Sequence, residues 1–241
     1  MDVKRFRKAF WTHFNGSQRN EPHQELWVPE FSRSLDLCPD VEGKLSLKKQ
    51  QLLNLAYHLL PPGEAYLEIG TYHGKSLISA MIGNPPRPTF ACDNFSQFDV
   101  NSYDILSANL RRHDLFEAVT FYDCDFLDIF TPERLPAPIG LYFYDGAHDE
   151  ESQYRAIKEV EPFLADEALV LVDDWRFAPD SQSYAQAGTL RAVGDSTHAW
   201  QLLYDLPARC NGDLAMWWNG VGVLAFQRVA DEVTQAESAA V

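Results

Sequence analysis

Positive charge is scarce in this sequence. Its 241 residues include 20 lysines and arginines but 35 aspartates and glutamates, which gives a formal net charge of −15. A protein that binds nucleic acid without regard to sequence needs a basic face, and docking on an anionic membrane needs one too. The composition therefore predicts neither a nucleic-acid partner nor a membrane partner.

Paired cysteines and long apolar runs are also missing. The four cysteines, Cys38, Cys92, Cys124 and Cys210, form no C-x-x-C pair, so we expect reduced structural thiols and no zinc ribbon. No apolar run approaches the roughly 20 residues that span a bilayer. The first residues lack the apolar centre of a secretory signal, so we expect a cytoplasmic protein.

The stretch that organises the chain runs from Tyr66 to Ser76. A short apolar strand carries one acid, Glu68, and ends at Gly70, and Gly74 then precedes an apolar run typical of a helix. A strand, a glycine turn and a helix in this order allow the backbone to approach a nucleotide-like ligand closely. The stretch therefore predicts a ligand-binding loop.

Two nucleotide-binding loops do not match this stretch. A phosphate-binding loop would need a glycine at the position of Ile69, although Gly74-Lys75-Ser76 fits its end. A dinucleotide fingerprint would need a glycine where Tyr72 stands. The pattern present, Glu-x-Gly-x-x-x-Gly, resembles the glycine loop of class I S-adenosylmethionine (SAM)-dependent methyltransferases. The alternative is a tight strand–helix turn that binds no ligand.

Strand-like and helix-like patterns alternate between residues 65 and 205. This alternation predicts a doubly wound, mostly parallel, Rossmann-like α/β sheet. We expect a loop over Ser181–Gly188, a helix from Thr189, and an antiparallel pair of strands over 200–204 and 216–226. Ser46 is the predicted N-cap of a helix that leads into the glycine loop.

Acidic residues follow several of the predicted strands directly. The ligands of a doubly wound sheet bind outside the carboxyl ends of its strands, so these acids should meet at one edge. Asp93 lies 23 residues after Gly70, close to the ~20-residue gap at which an acid reaches ribose hydroxyls. The acids expected at this edge are Glu68, Asp93, Asp123, Asp125, Asp145, Asp173 and Asp174.

Three of these acids, Asp145, Asp173 and Asp174, form a candidate metal site. Like charges at one edge repel each other unless they are protonated or bound to a cation. Oxygen ligands suit Mg²⁺, which would lower the pKa of a substrate hydroxyl and orient it. His148 is a candidate general base. Alternatively, Asp173 or Asp174 caps the next segment or pairs with Arg176, and His148 binds only the cofactor or a backbone carbonyl.

Four motifs together resemble one branch of the class I SAM-dependent methyltransferases, the small enzymes that include the macrocin-type sugar O-methyltransferases. The motifs are Gly43-Lys-Leu-Ser46, Glu68-Ile-Gly70-Thr-Tyr-His-Gly74-Lys-Ser76, Asp145-Gly-Ala-His148 and Val172-Asp-Asp-Trp175. The resemblance covers roughly residues 41–227. It departs from the branch at Asp145-Gly146-Ala147, where Asp-Gly-Asp is common.

The resemblance implies SAM as cofactor and Mg²⁺ as a second one. The strand acid holds the methionine amino group, the glycine loop faces the cofactor, and the later strand ends contact ribose and adenine. The corresponding cofactor residues are Glu68, Gly70, Thr71, Tyr72, Gly74, Ser76, Asp93, Asn94, Asp123, Cys124, Asp125 and Asp145. Either Asp123 or Asp125 accepts from the adenine amino group. The implied metal ligands are Asp145, Asp173 and Asp174, and the candidate catalytic residues are His148 and Asp145.

The N-terminal segment carries aromatic residues at helical spacing. They are Phe6, Phe10, Trp11 and Phe14, and we expect them to pack on their own domain or in a homodimer. Docking on a membrane or on another subunit is the alternative. The expected organisation is an arm or cap over residues 1–40, a methyltransferase domain over 41–229 and a frayed tail over 230–241.

The expected function is SAM-dependent O-methylation of a small hydroxylated molecule, such as a sugar or a secondary metabolite, with Mg²⁺ assisting. Two other functions compete with it. One is a SAM- or nucleotide-binding partner protein that keeps the fold without catalysis. The other is an NAD-dependent oxidoreductase, against which Tyr72 argues.

Overall fold

The computed structural model of the protein describes residues 1–14, 36–97, 101–208, 214 and 217–230. Most of the predicted arm, Cys210 and nearly all of the predicted tail lie outside these residues.

The described residues form six α-helices and seven β-strands. The helices are α1 Val3–Phe14, α2 Leu47–His58, α3 Lys75–Met81, α4 Ser102–Arg112, α5 Glu150–Val160 and α6 Tyr184–Gly194. The strands are β1 Ala65–Ile69, β2 Thr89–Asp93, β3 Thr120–Asp123, β4 Ile139–Tyr144, β5 Leu164–Asp173, β6 Ala199–Leu206 and β7 Val221–Gln227.

The strands form one sheet in the order β3-β2-β1-β4-β5-β7-β6. Strands β1 to β5 pair in parallel, and β7 runs antiparallel to both β5 and β6. The predicted fold class and the antiparallel C-terminal pair are therefore confirmed. The strand order reverses between β1 and β4, and such a switch point opens a crevice at the carboxyl ends of the strands.

Helices cover both faces of the sheet. Because side chains alternate along a strand, Tyr66 and Leu141 pack in one apolar core with residues of α1 to α4. Leu67 and Tyr142 pack in a second core with residues of α5 and α6. The parallel strands β1 and β4 are buried along their whole length, as expected when both faces are covered.

Helices α2 and α6 each start at a serine side-chain cap. The hydroxyl of Ser46 accepts from the Lys49 N–H, as predicted for α2. Ser183 caps α6 by accepting from the Gln186 N–H at 3.1 Å, so this helix begins at Tyr184. The prediction of a loop through Gly188 was therefore wrong. Gly188 lies inside this helix, where a Cβ would come within 2.3 Å of the Glu150 carbonyl oxygen of α5, so only glycine fits the close contact of the two helices.

The last strand also starts later than predicted. Residues 217–220 form a turn, and β7 begins only at Val221. Asn219 and Gly220 adopt positive φ angles of 58° and 81°, which ends any extended conformation before the strand. The Asn219 carbonyl accepts from the Arg176 N–H at 3.0 Å, so the turn lies against the end of β5.

Helix α1 packs on the chain's own sheet. Phe6, Phe10 and Phe14 are fully buried, and the Phe10 ring stacks on Tyr204 of β6 at a centroid distance of 3.8 Å. Trp11 is 63% exposed on the opposite side of the helix. Packing on the chain's own domain is thus confirmed for the three phenylalanines. No helix of the described residues is long and apolar enough to cross a bilayer.

Candidate active site

A cavity of about 480 Å³ lies at the carboxyl ends of the parallel strands. This volume is within the usual range for a small-molecule or cofactor site. Twelve of the residues predicted to bind ligands or to act in catalysis line it. They are Gly70, Thr71, Tyr72, Ser76, Asp93, Asn94, Cys124, Asp125, Asp145, His148, Asp173 and Asp174. The structure therefore brings residues from the ends of five strands, β1 to β5, to one site.

Gly70 joins the ends of β1 and β4. Its φ angle is +85°, and a Cβ at this position would lie 1.9 Å from the Asp145 carbonyl oxygen. The Gly70 N–H donates to the Cys92 carbonyl at 2.9 Å, and the Asp145 N–H donates to the Ile69 carbonyl at 2.9 Å. Only glycine allows this approach, which sets Asp145 directly beside the loop.

Asp93 fixes the glycine loop from the end of β2. One carboxylate oxygen accepts from the Tyr72 N–H and the other from the Phe95 N–H, both at 2.8 Å. Each carboxylate oxygen has a second lone pair, so Asp93 can also accept hydrogen bonds from a ligand in the cavity. This geometry suits the pair of hydroxyls of a ribose.

Glu68 lies behind the loop and does not line the cavity. The Tyr66 hydroxyl donates to one of its oxygens at 2.5 Å and the Ser76 hydroxyl to the other at 2.7 Å. Burial raises the pKa of Glu68 to about 8. Glu68 therefore ties β1 to the start of α3, and its predicted contact with a methionine amino group stays a prediction.

Two further predicted cofactor residues lie away from the lining. Gly74 is the N-cap of α3, with a φ angle of +88°, and its Cβ position faces Leu106. Asp123 is exposed at the end of β3 and does not line the cavity, whereas Asp125 does. Of the two acids proposed to reach adenine, Asp125 is thus the one beside the cavity.

Asp145, Asp173 and Asp174, here called the carboxylate cluster, meet at the ends of β4 and β5. The pKa of Asp145 is held well above its usual range by burial and by the charges of Asp173 and Asp174. Burial also raises the pKa of Asp173, and the Lys49 ammonium opposes that effect. The cluster is therefore too crowded for three free negative charges.

Lys49 of α2 supplies a positive charge inside the cluster. Its ammonium forms an ion pair with Asp173, and both side chains are at least 95% buried. Lys49 was not predicted as a site residue, because Lys48-Lys49-Gln50-Gln51 resembles a solvent-facing run, yet all four residues are buried. Four consecutive polar residues span every side of a helix, which is the signal that some of them must face inward.

Asp174 is held by three side chains that surround it. Its φ angle of 54° is unusual for a non-glycine residue. The Tyr184 hydroxyl donates to one of its oxygens, and the Asn219 amide donates to the other at 2.9 Å. His148 Nε2 lies 3.5 Å from the oxygen that Tyr184 binds. Tyr184 was predicted only as part of the loop over Ser181–Gly188, and Asn219 was not singled out.

The predicted metal ligands do not fit a divalent ion as a set, because Asp173 already binds an ammonium group. A different trio comes close enough to share an ion. One ligand atom from each of Asp145, His148 and Asp174 lies within 4.8 Å of the others. A metal at this edge would therefore bind His148 in place of Asp173.

Comparison with known proteins finds a matching family model and several similar solved structures. Residues 67–175 match a family model described as a methyltransferase domain. Cofactor-bound Rv0187 from MTB is 22% identical, with a TM-score of 0.59 over 77% of this chain and 82% of that chain. The O-methyltransferase from Bacillus cereus in complex with S-adenosylhomocysteine (SAH) is 15% identical, with a TM-score of 0.58 over 80% and 87% of the two chains. A comparison with curated proteins finds no match.

A third structure aligns over almost the whole chain. The O-methyltransferase TomG from Streptomyces achromogenes, in complex with SAM, is 17% identical, with a TM-score of 0.57 over 95% of this chain and 100% of that chain. These structural likenesses establish the fold, and the family model spans the glycine loop and every acid of the carboxylate cluster. Residues 67–175 are therefore similar to a methyltransferase domain, and the chain shares the fold of these solved methyltransferase structures.

Proposed function

We propose that the protein transfers the methyl group of SAM to a hydroxyl oxygen of a small molecule, such as a sugar or a secondary metabolite. The observation that carries this proposal is a single cavity that joins the glycine loop and Asp93 to His148 and Asp174. A cofactor on the loop and an acceptor beside His148 would share that space. The names of the Bacillus cereus and Streptomyces proteins as O-methyltransferases support oxygen as the acceptor atom.

The proposed cofactor contacts follow from the cavity lining. Asp93 accepts from the ribose hydroxyls while it keeps its bonds to the loop backbone. Asp125, beside Cys124, accepts from the adenine amino group. Thr71 contributes a buried hydroxyl with no hydrogen-bond partner among the described residues, and it lines the same cavity. These contacts would place the sulfonium methyl near the carboxylate cluster.

His148 is the proposed general base. Its side chain is 44% exposed, so an acceptor can reach it, and Asp174 lies 3.5 Å from its Nε2. As His148 takes the hydroxyl proton, the acceptor oxygen bonds to the methyl carbon and the carbon–sulfur bond breaks, which releases SAH. Asp174 stabilises the imidazolium that forms. Holding the oxygen in line with the methyl group supplies much of the acceleration.

Magnesium assistance is the second candidate, and the closeness of Asp145, His148 and Asp174 favours it. An ion bound by these three residues would polarise the acceptor hydroxyl. In that version His148 is a ligand and cannot also be the base. The cytoplasmic location, the homodimer and the lack of nucleic-acid and membrane partners stay predictions.

A methyl-transfer screen tests the proposed function. The full chain is incubated with isotope-labelled SAM and a panel of sugars, phenols and other hydroxylated small molecules, and methylated products are identified by mass spectrometry. We expect an O-methylated product from at least one acceptor class. His148→Asn should lower the rate by roughly 100-fold or more, as for loss of a general base.

The matched control is His198→Asn, because His198 packs on Phe226 away from the cavity. This variant should keep the wild-type rate. SAH binding without methylation of any acceptor in the panel would favour a cofactor-binding partner protein. A product methylated on nitrogen or carbon would contradict the proposed acceptor atom.

A further inference from the structure

We propose that Lys49 is the resident cation of the carboxylate cluster, where it positions Asp173 and Asp174 and makes a divalent metal ion unnecessary. The catalytic consequence rests on the proposed function. The ion pair and its effect on metal binding stand on the contacts of Lys49 alone. Lys49 does not line the cavity, so it is a positioning residue.

Lys49 reaches the cluster because the first turn of α2 is fixed from two sides. Ser46 caps the turn, and the Leu47 N–H donates to the Leu214 carbonyl at 3.0 Å. The Lys49 side chain is 2% exposed and that of Asp173 is 5% exposed. A buried ammonium and a buried carboxylate depend on each other, since removal of either leaves an uncompensated charge in a medium of low polarity.

The effect of Lys49 passes through Asp173 to Asp174. The Asp173 oxygen that binds the ammonium also accepts from the Asp174 N–H at 2.8 Å. This hydrogen bond holds the backbone of Asp174, whose φ angle is positive. The Asp174 carboxylate in turn faces His148. Lys49 therefore sets the position of the acid that is proposed to orient the base.

Lys49 also occupies the place that a divalent ion would need on Asp173. An ion bound between Asp145 and Asp173 would lie beside the buried ammonium, and two neighbouring cations repel strongly where water is excluded. The Asp174 oxygens already accept from Tyr184 and Asn219. The cluster thus has protein donors at the positions where the resemblance implied a metal.

Divalent-metal titration of the full chain tests this inference. Mn²⁺ and Mg²⁺ are titrated calorimetrically into wild type, Lys49→Met and the double variant Lys49→Met/Asp173→Asn. We expect wild type to bind neither ion up to about 1 mM. Lys49→Met removes the charge but keeps the apolar stem, so it should gain one metal site, because Asp173 is freed to act as a ligand.

The double variant keeps the inference testable if Lys49→Met is poorly folded. Lys49→Met should lower the melting temperature by about 10 °C, because a buried carboxylate loses its partner. The double variant removes both buried charges, so it should recover most of that loss and gain no metal site.

Lys48→Met is the matched control, since Lys48 is equally buried but its ammonium lies 5.2 Å from the Trp217 ring centroid. It should gain no metal site.

Three results would overturn the inference. One is metal binding by wild type below about 1 mM that Asp174→Asn abolishes. Another is a folded Lys49→Met that gains no site. The last is a double variant no more stable than Lys49→Met. SAH binding by wild type, measured separately, reports on the proposed function, so either proposal can fail without the other.

Discussion

Glu68 is a buried acid in the middle of β1, and its protonation links stability to pH. Its pKa is raised from 4.5 to about 8, chiefly by burial. Between these values the folded protein keeps a proton that the unfolded chain has released, so stability falls as pH rises through this window and levels off above it. The shift corresponds to at most about 5 kcal/mol.

Glu68→Gln should remove this pH dependence, because glutamine keeps the size of the side chain but carries no charge. We expect the melting temperature of the variant, relative to wild type, to rise from pH 5 to about pH 8 and to level off by pH 8.5. Circular dichroism melts across this range measure it, with the exposed Glu117→Gln as control. If the melting temperatures of wild type and Glu68→Gln changed with pH in the same way, Glu68 would have an ordinary pKa and the prediction would be wrong.

Individual site residues were predictable where the backbone alone places them. Asp93, Asp145 and Asp173 end apolar runs, so the sheet topology fixes their position at the carboxyl edge. Their partners were harder to predict, since a contact such as Lys49–Asp173 joins residues 124 positions apart. That contact depends on how α2 packs against the sheet, and periodicity within one helix does not specify such packing.

The strand–turn–helix element around Gly70 depends on the absence of a side chain. Gly70→Ala should both strain the positive φ angle and drive a Cβ into the Asp145 carbonyl. Gly63→Ala is a matched control, because Gly63 has a φ angle of +89° but no atom within 4 Å of its Cβ position. The control should cost only about 1–2 kcal/mol for the left-handed conformation.

We expect Gly70→Ala to lose clearly more stability than Gly63→Ala, and also to lose SAH affinity because Asp145 and the loop are pushed apart. Urea unfolding and SAH calorimetry on both variants measure the two effects. Equal losses of stability in the two variants would contradict the close approach of β1 to β4.

Helix α1 belongs to the core of the domain through one face only. Phe10→Ala should cost about 3–5 kcal/mol of unfolding free energy, because Phe10 is fully buried against Phe14 and Tyr204. Trp11→Ala, on the exposed face, should change it by less than about 0.5 kcal/mol. Chemical denaturation of both variants checks this, and a large loss for Trp11→Ala would instead indicate a covered face.

Elements were predictable where a strong periodic pattern had a clear end, as in β4 and α2. The start of α6 was not, because its first five residues include Tyr184 and Gly188, which are weak helix formers. Tertiary contact overrides that preference, since Gly188 allows α6 to approach α5 closely. The cap at Ser183 was visible in the sequence, but serine is equally common in loops.

The whole molecule places its ligand site where the strand order reverses. Two halves of the sheet, β1 to β3 and β4 to β7, meet between β1 and β4, and Gly70 and Asp145 lie at that junction. This arrangement was predictable from alternating elements and the acids that follow them. The surroundings of the carboxylate cluster were less predictable from the sequence, because they combine α2, α6 and the turn before β7, which are distant in the chain.

Calorimetric titration of the full chain with SAH is the most direct test of a SAM-binding methyltransferase. We expect wild type to bind with a Kd of roughly 1–10 μM, with or without EDTA. Asp93→Asn should bind about 10- to 100-fold more weakly, since a charged acceptor of ribose hydroxyls is lost. Asp123→Asn should bind like wild type, because Asp123 pairs with Asp93 across β2 and β3 but does not line the cavity. No binding of SAH by wild type would contradict the proposed function and leave the glycine loop as a structural turn or the site of another ligand.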